Sequence, residues 1–177
     1  MIRFFDLVFS IIGTVVLLPF ALIISVIIIF DSRGGIFFKQ LRIGKNGKQF
    51  FLFKFRTMYM NSDKKGLITV GMRDSRVTRI GFLLRKYKLD ELPQIINIIK
   101  GEMSFVGPRP EVEKYVNLYT SEQRKVLSVK PGITDYASIE FSNENEILSK
   151  STNPERTYIK EVMPEKIRLN MIYINNS

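Results

Sequence analysis

The chain of 177 residues contains no histidine, no cysteine and no tryptophan. The absence of histidine excludes histidine general bases and Ser-His-Asp triads, and the two absences together exclude metal sites built on histidine or cysteine. No disulfide can stabilise the fold, so an oxidising compartment is not required. Acid–base or nucleophilic chemistry must therefore use carboxylate, lysine, tyrosine or hydroxyl groups, and any metal must prefer oxygen ligands, as magnesium does.

Acidic residues are also scarce, because 17 Asp and Glu stand against 27 Lys and Arg and leave a formal charge of +10. No acidic residue lies between residues 32 and 62. Such a balance suits nucleic acid, an anionic lipid surface or a phosphorylated small molecule. The sequence has no zinc ligands and no RNA-stacking motif, so we expect membrane lipid and a phosphorylated ligand as partners, and no nucleic acid.

Charge is absent from residues 7–30, an apolar run about as long as a helix that crosses the hydrocarbon core. Cations flank the run on both sides, with Arg3 before it and a series that starts at Arg33, which favours a cytoplasmic position for both ends. Pro19 lies near the middle, where proline kinks a helix. The pattern predicts a re-entrant membrane helix-break-helix over residues 1–32 with its kink at Pro19; a single straight crossing is the alternative.

Residues 33–177 are predicted to form one compact cytoplasmic catalytic domain of the α/β class, mostly helical with a small β-hairpin and with interfacial helices. Short strands around a glycine-containing turn at 44–47 predict the hairpin. Asp90 has the position of an N-cap and Gly101 that of a C-terminal stop for one helix, while Thr120 and Gln123 have capping-box spacing for another. The remaining predictions are a helix at 80–86, a strand at 103–106, helical fragments at 145–148 and 154–162, and a loop at 61–76.

The adjacent carboxylates Asp90 and Glu91 are the main candidates for chemistry. They could be no more than a helix cap and a first-turn acid that complements the helix dipole. Alternatively, a carboxylate kept ionised by nearby cations could attack phosphorus, provided that a metal and arginine neutralise the phosphate oxygens. On that hypothesis Asp90 and Glu91 are catalytic, and both bind a magnesium ion.

Four cations are candidates for binding phosphate. Arg85 precedes the carboxylates and Arg109 follows them, and guanidinium grips phosphate with two hydrogen bonds. Lys54 and Arg56 flank Phe55 and could bind the phosphate of a substrate or a lipid. A solvated face, a structural salt bridge or a charged strand edge is the alternative for these residues.

Several segments, in order along the chain, resemble the monotopic bacterial phosphoglycosyl transferases, also called bacterial sugar transferases. They cover most of the chain up to about residue 142, and the block at 104–110 is the most specific. The matching pieces are the apolar start with Pro19, 54–58 (KFRTM), 89–94 (LDELPQ), 100–110 (KGEMSFVGPRP) and 130–134 (KPGIT).

The resemblance implies an enzyme that moves a sugar 1-phosphate from a UDP-sugar to a polyprenol phosphate and so starts the assembly of a glycan. It implies that Asp90 is the nucleophile, that Glu91 is its partner, that Arg85 and Arg109 handle phosphate, and that Mg²⁺ is required. It further implies a covalent aspartyl-phosphosugar, release of UMP, and a location at the cytoplasmic face of the bacterial inner membrane. A non-enzymatic, membrane-anchored basic module that binds anionic lipid or a partner is the alternative, and the sequence leaves a homo-oligomer open.

Overall fold

The computed structural model describes residues 1–62 and 74–175. The predicted loop at 61–76 therefore lies largely outside the described residues. The described part is mostly helical with two small two-stranded sheets, in agreement with the predicted α/β class.

The apolar run forms one helix, α1, at Ile2–Asp31. It is long and apolar enough to cross a membrane, and almost none of its most apolar part is buried against the protein. The helix continues through Pro19, so no loop interrupts it at the predicted break. Elsewhere in α1, the hydroxyls of Thr14 and Ser25 donate to carbonyl oxygens one turn earlier, at 2.7 and 2.6 Å.

Both halves of α1 contact the rest of the protein. Near its start, Arg3 donates to the carbonyl oxygen of Ile99 at 2.7 Å, and Asp6 accepts from the hydroxyl of Ser104 at 2.9 Å. Near its end, Ile28 is buried in an apolar cluster with side chains from the hairpin and from the next helix. The rest of the described protein therefore holds α1 at two places about 22 residues apart, which is roughly 33 Å along a straight helix axis.

The predicted hairpin is confirmed. Strand β1 at Phe37–Ile43 pairs antiparallel with β2 at Gln49–Phe55, and a short 3-10 turn at Lys45–Gly47 connects them. Alternation along β2 sends successive side chains to opposite faces. Phe50 and Leu52 accordingly lie in one buried cluster, and Phe55 lies in another beneath the end of α1.

Helix α2 at Arg79–Lys86 confirms the helix expected at 80–86, with the hydroxyl of Thr78 capping its start. A 3-10 helix at Leu89–Gln94 leads into α3 at Ile95–Lys100, which ends at Gly101 with φ 83° as predicted. The expectation that Asp90 caps a helix is wrong. Lys88, in the left-handed region, precedes the 3-10 helix and turns the chain so that Asp90 lies inside the first turn.

Strand β3 at Ser104–Val106 confirms the predicted strand, and it pairs parallel with β4 at Gly132–Thr134, which the sequence did not predict. The second half of the chain packs around a buried cluster that includes Tyr115, Leu148 and Tyr158. Its helices are α4 (Glu113–Val116), a 3-10 helix (Gln123–Ser128), α5 (Tyr136–Glu140), α6 (Glu144–Ser149), α7 (Pro154–Thr157), a short π-helix (Tyr158–Val162) and α8 (Met163–Asn175).

Candidate active site

A cleft of about 810 Å³ opens between the hairpin, the loop at 107–110 and the C-terminal helices α5, α6 and α8. The cleft brings together six residues that the sequence predicted for the site, namely Lys54, Arg56, Arg85, Asp90, Glu91 and Arg109.

Asp90 is a buried carboxylate with 6% of its surface exposed. Among the described residues, none donates a hydrogen bond to its side chain. Burial raises the pKa of Asp90, and the positive charges of Lys54, Arg85 and Arg109 oppose that rise. The carboxylate therefore has oxygen atoms available to a ligand, in a cationic environment that favours anionic ligands.

Glu91 has the opposite environment, because two cations clamp its carboxylate. Lys54 Nζ lies 2.9 Å from Oε1, and Arg109 donates to both carboxylate oxygens, with Nη1 at 3.3 Å from Oε2. Burial raises the pKa of Glu91, but the charges of Lys54 and Arg109 outweigh it and hold this pKa well below its usual range. The two adjacent carboxylates thus differ in their contacts: Glu91 is ionised and bonds to two cations, whereas the side chain of Asp90 bonds to no described residue.

Arg85 is held at the cleft by the end of β2 and by α2. Its Nε donates to the hydroxyl of Thr57 at 2.9 Å. The backbone of Thr57 is itself fixed, because its carbonyl oxygen accepts from Thr78 N at 3.0 Å. A Cβ on Gly81 would lie 2.1 Å from the same carbonyl oxygen, so only glycine allows α2 to approach this closely.

Arg56 has a different set of partners from the one expected. It is 5% exposed, and its Nη2 donates to the carbonyl oxygens of Ile28 at 3.2 Å and Ser32 at 2.7 Å, while Nη1 donates to that of Arg33. A guanidinium at this place satisfies carbonyls that the end of α1 leaves without helical partners. Its contacts therefore support a role in fixing α1 to the hairpin, and they give no support to phosphate binding.

Arg109 is positioned by a close approach of two backbone segments. Gly107 N donates to Thr134 O at 3.1 Å, and Gly132 N donates to Pro108 O at 3.0 Å. Arg109 N then donates to the carboxylate of Asp135 at 3.0 Å. The guanidinium that binds Glu91 is thus carried on a short loop that is tied to β4 on both sides.

Sequence patterns did not predict several polar residues that lie in the cleft or support it. Asp135 accepts from Arg109 N and also from Ser138 N at 2.6 Å, as the N-cap of α5. Arg42 and Glu111 form a salt bridge at 3.0 Å. The Asp-x-x-Ser spacing of Asp135 and Ser138 could have predicted the N-cap. No local pattern could have connected Arg42 with Glu111, because they are 69 positions apart.

The arrangement of carboxylates also bears on metal binding. Within residues 1–62 and 74–175 no group of three or more acidic side chains could hold a metal ion. Magnesium in phosphate chemistry typically takes one or two carboxylates and completes its shell with substrate oxygens and water. The dyad supplies two carboxylates: no described residue uses the oxygen atoms of Asp90, whereas those of Glu91 already accept from Lys54 and Arg109 and would be shared with the ion.

Comparisons with known proteins agree on one family. The family model described as bacterial sugar transferase matches residues 1–177. An uncharacterized sugar transferase of Bacillus subtilis is 48% identical over 108 residues, 61% of this chain and 52% of that protein. An exopolysaccharide production protein of Sinorhizobium fredii is 40% identical over 157 residues, 80% of this chain and 70% of that protein.

A third relative has a name that states a reaction. It is the UDP-glucose:undecaprenyl-phosphate glucose-1-phosphate transferase of Xanthomonas campestris pv. campestris, 40% identical over 142 residues. The match covers 76% of this chain and 28% of that protein. The chain thus spans about half of the Bacillus relative and little more than a quarter of the Xanthomonas relative.

Proposed function

The chain belongs to the bacterial sugar transferase family, and from this premise we propose that it transfers a sugar 1-phosphate from a UDP-sugar to a polyprenol phosphate. The observation that carries the proposal is the buried Asp90 carboxylate, which no described residue hydrogen-bonds and which three cations surround. The reaction in the name of the Xanthomonas relative uses the same classes of donor and acceptor. The products are UMP and a polyprenyl diphosphate sugar, which starts the assembly of a glycan such as an exopolysaccharide.

The proposed chemistry has two displacements at one phosphorus atom. An oxygen of Asp90 attacks the phosphorus that carries the sugar, the bond to the bridging oxygen breaks, and UMP leaves with the electron pair. The covalent aspartyl-phosphosugar is then attacked by a phosphate oxygen of the polyprenol phosphate, which releases the Asp90 carboxylate. A carboxylate is a suitable nucleophile here because the chain has no histidine that could activate a hydroxyl.

The surrounding residues lower the cost of bringing two anions together. Arg109 and Lys54 lie beside the dyad, and their charges stabilise the phosphate oxygens as negative charge shifts toward the leaving group. Glu91 keeps both cations in place. Magnesium, held by Asp90 and Glu91 together with the donor diphosphate, would neutralise the oxygens that repel the nucleophile.

Magnesium dependence tests the reaction directly. We expect purified protein in detergent, supplied with a UDP-sugar, polyprenol phosphate and Mg²⁺, to release UMP, and we expect EDTA to stop the release. Asp90 and Glu91 cannot take over the role of the ion, because their carboxylates add negative charge beside the diphosphate and do not neutralise it. Added Mg²⁺ in excess of EDTA should restore the rate, and UMP release that continues in EDTA would contradict the metal assignment.

We further propose that α1 enters and leaves the membrane on one face, so that the enzyme works at the cytoplasmic face of the inner membrane. Support comes from the contacts of α1, because Arg3 and Asp6 at its start and Ile28 near its end all touch the same domain. A straight crossing would carry one end about 30 Å away through the hydrocarbon core. The polyprenol acceptor is embedded in lipid, so this placement lets a soluble donor meet it at the surface.

Cysteine labelling tests this topology, since the chain has no cysteine of its own. We expect Ile2→Cys and the control Lys48→Cys, in the hairpin turn, to resist a membrane-impermeant maleimide in intact cells. Both should react after the cells are opened, because both positions then face the reagent. Labelling of Ile2→Cys but not of Lys48→Cys in intact cells would establish a straight crossing instead.

A further inference from the structure

Two polar side chains in the cleft have no hydrogen-bond partner. Among the described residues, nothing bonds to Asn170 Oδ1 on α8 or to Ser138 Oγ on α5, and both atoms are buried. Asn170 is 5% exposed, and both residues line the cleft that holds Asp90. A buried polar atom without a partner lowers the stability of a fold, so in a native protein it calls for an explanation.

A ligand is a better explanation here than a general packing defect. Ser10 and Gln94 also have buried polar atoms without partners, but neither lines the cleft. Arg56 lines the cleft and its Nε is unpaired as well, but the other two nitrogens of that guanidinium donate to carbonyl oxygens at the end of α1. Ser138 and Asn170, in contrast, line the same cavity, and they do so from two elements that pack against each other, α5 and α8. Their hydrogen-bonding capacity is therefore available to whatever occupies that part of the cleft.

The unpaired oxygen of Asn170 favours a ligand group that donates a hydrogen bond over a phosphate oxygen, which only accepts. An amide carbonyl oxygen accepts hydrogen bonds and cannot donate one to a phosphate oxygen. It matches an O–H or N–H group of a neutral ligand, and a serine hydroxyl can donate or accept beside it. This neutral pair contrasts with the cations around Asp90, where phosphate is expected.

The position of the pair relates it to the reacting phosphate. Ser138 N bonds to the carboxylate of Asp135, and the other oxygen of that carboxylate accepts from Arg109 N. Arg109 in turn binds Glu91, the neighbour of the nucleophile. Three contacts, through Asp135 and Arg109, thus connect Ser138 to the dyad. In the donor, the group bonded directly to the attacked phosphorus is the sugar.

We propose that Ser138 and Asn170 form a subsite that binds the hydroxyl or acetamido groups of the donor sugar and selects which UDP-sugar is used. This inference rests on the proposed function. A site that hydrogen-bonds a substrate group discriminates against donors that lack the group or present it on the other face of the ring. Asn170 Oδ1 accepts a hydrogen bond from one group of the sugar, and Ser138 Oγ donates to or accepts from the neighbouring group.

The test compares Asn170→Ala and Ser138→Ala with the wild type on UDP-glucose, UDP-galactose, UDP-N-acetylglucosamine and UDP-N-acetylgalactosamine. UMP release gives kcat/KM for each donor. We expect each variant to lose about tenfold on the best donor and much less on the others, because one neutral hydrogen bond is lost only there. Inhibition by UMP, which has no sugar, should change less than twofold, and exposed Asn117→Ala is the matched control.

A thermal melt separates this role from a structural one. Neither side-chain atom has a partner to lose, so we expect the two variants to melt at or above the wild-type temperature. Equal losses on all four donors together with weaker UMP inhibition would overturn the inference, because the pair would then bind the nucleoside. Unchanged donor preference would overturn it too, whereas a wild type that releases UMP from no donor would overturn the proposed function itself.

Discussion

Asp90→Asn is expected to abolish both UMP release and the covalent phosphosugar adduct. The amide oxygen is a far weaker nucleophile than a carboxylate, and the side chain keeps nearly the same shape, so the loss should be at least about a thousandfold. Intact-mass measurement after incubation with donor alone should show the adduct in the wild type and no adduct in the variant. The exposed Glu140→Gln is the control for loss of one acidic charge.

The same substitution also distinguishes catalysis from stability. Burial disfavours the charged form of Asp90, and no described residue bonds to it, so Asp90→Asn should not lower the melting temperature. Glu91→Gln should lower it, because it leaves Lys54 and Arg109 as partly buried charges without their anion, at a cost of about 2 kcal/mol. Near-normal turnover by Asp90→Asn would show that another group, or direct attack by the acceptor, carries the reaction.

Gly132→Ala is expected to destabilise the fold and to remove most of the activity. A Cβ at this position would lie 2.2 Å from Gly107 N and 2.6 Å from Gly107 O, and backbone atoms cannot swing aside. The two strands must separate, which we expect to cost about 3 kcal/mol, or roughly 6–10 °C in melting temperature. Arg109 lies two residues after Gly107, so we expect its contact with Glu91 to be lost when Gly107 is displaced.

Gly35→Ala is the matched control for that experiment. The nearest atom to its Cβ would be Phe37 O at 4.0 Å, so the added methyl group makes only an ordinary van der Waals contact. Thermal melts and UMP release of both variants, measured in the same detergent, check the prediction. Equal melting temperatures for Gly132→Ala and Gly35→Ala would show that β3 and β4 do not approach as closely as the structure describes.

Local patterns predicted much of the secondary structure correctly. The turn at 44–47 predicted the hairpin, and the glycine at the end of α3 predicted its stop. Thr120 and Gln123 form the expected capping box, with Thr120 N donating to the Gln123 side chain at 2.9 Å and Gln123 N to Thr120 Oγ1 at 3.2 Å. Each of these features depends on residues within a few positions of one another, which is why a single sequence reveals them.

The sequence by itself determined the membrane-length helix, the exclusion of histidine and thiol chemistry, and the acidic pair among cations. Only the tertiary structure decided the separate roles: Arg109 and Lys54, 18 and 37 positions from Glu91, clamp it, and Asp90 is left open. It likewise gave Arg56 carbonyl partners at the end of α1, and it placed Asn170 in the cleft. Contacts between distant residues arise from the packing of whole elements, and no local spacing in the chain records them.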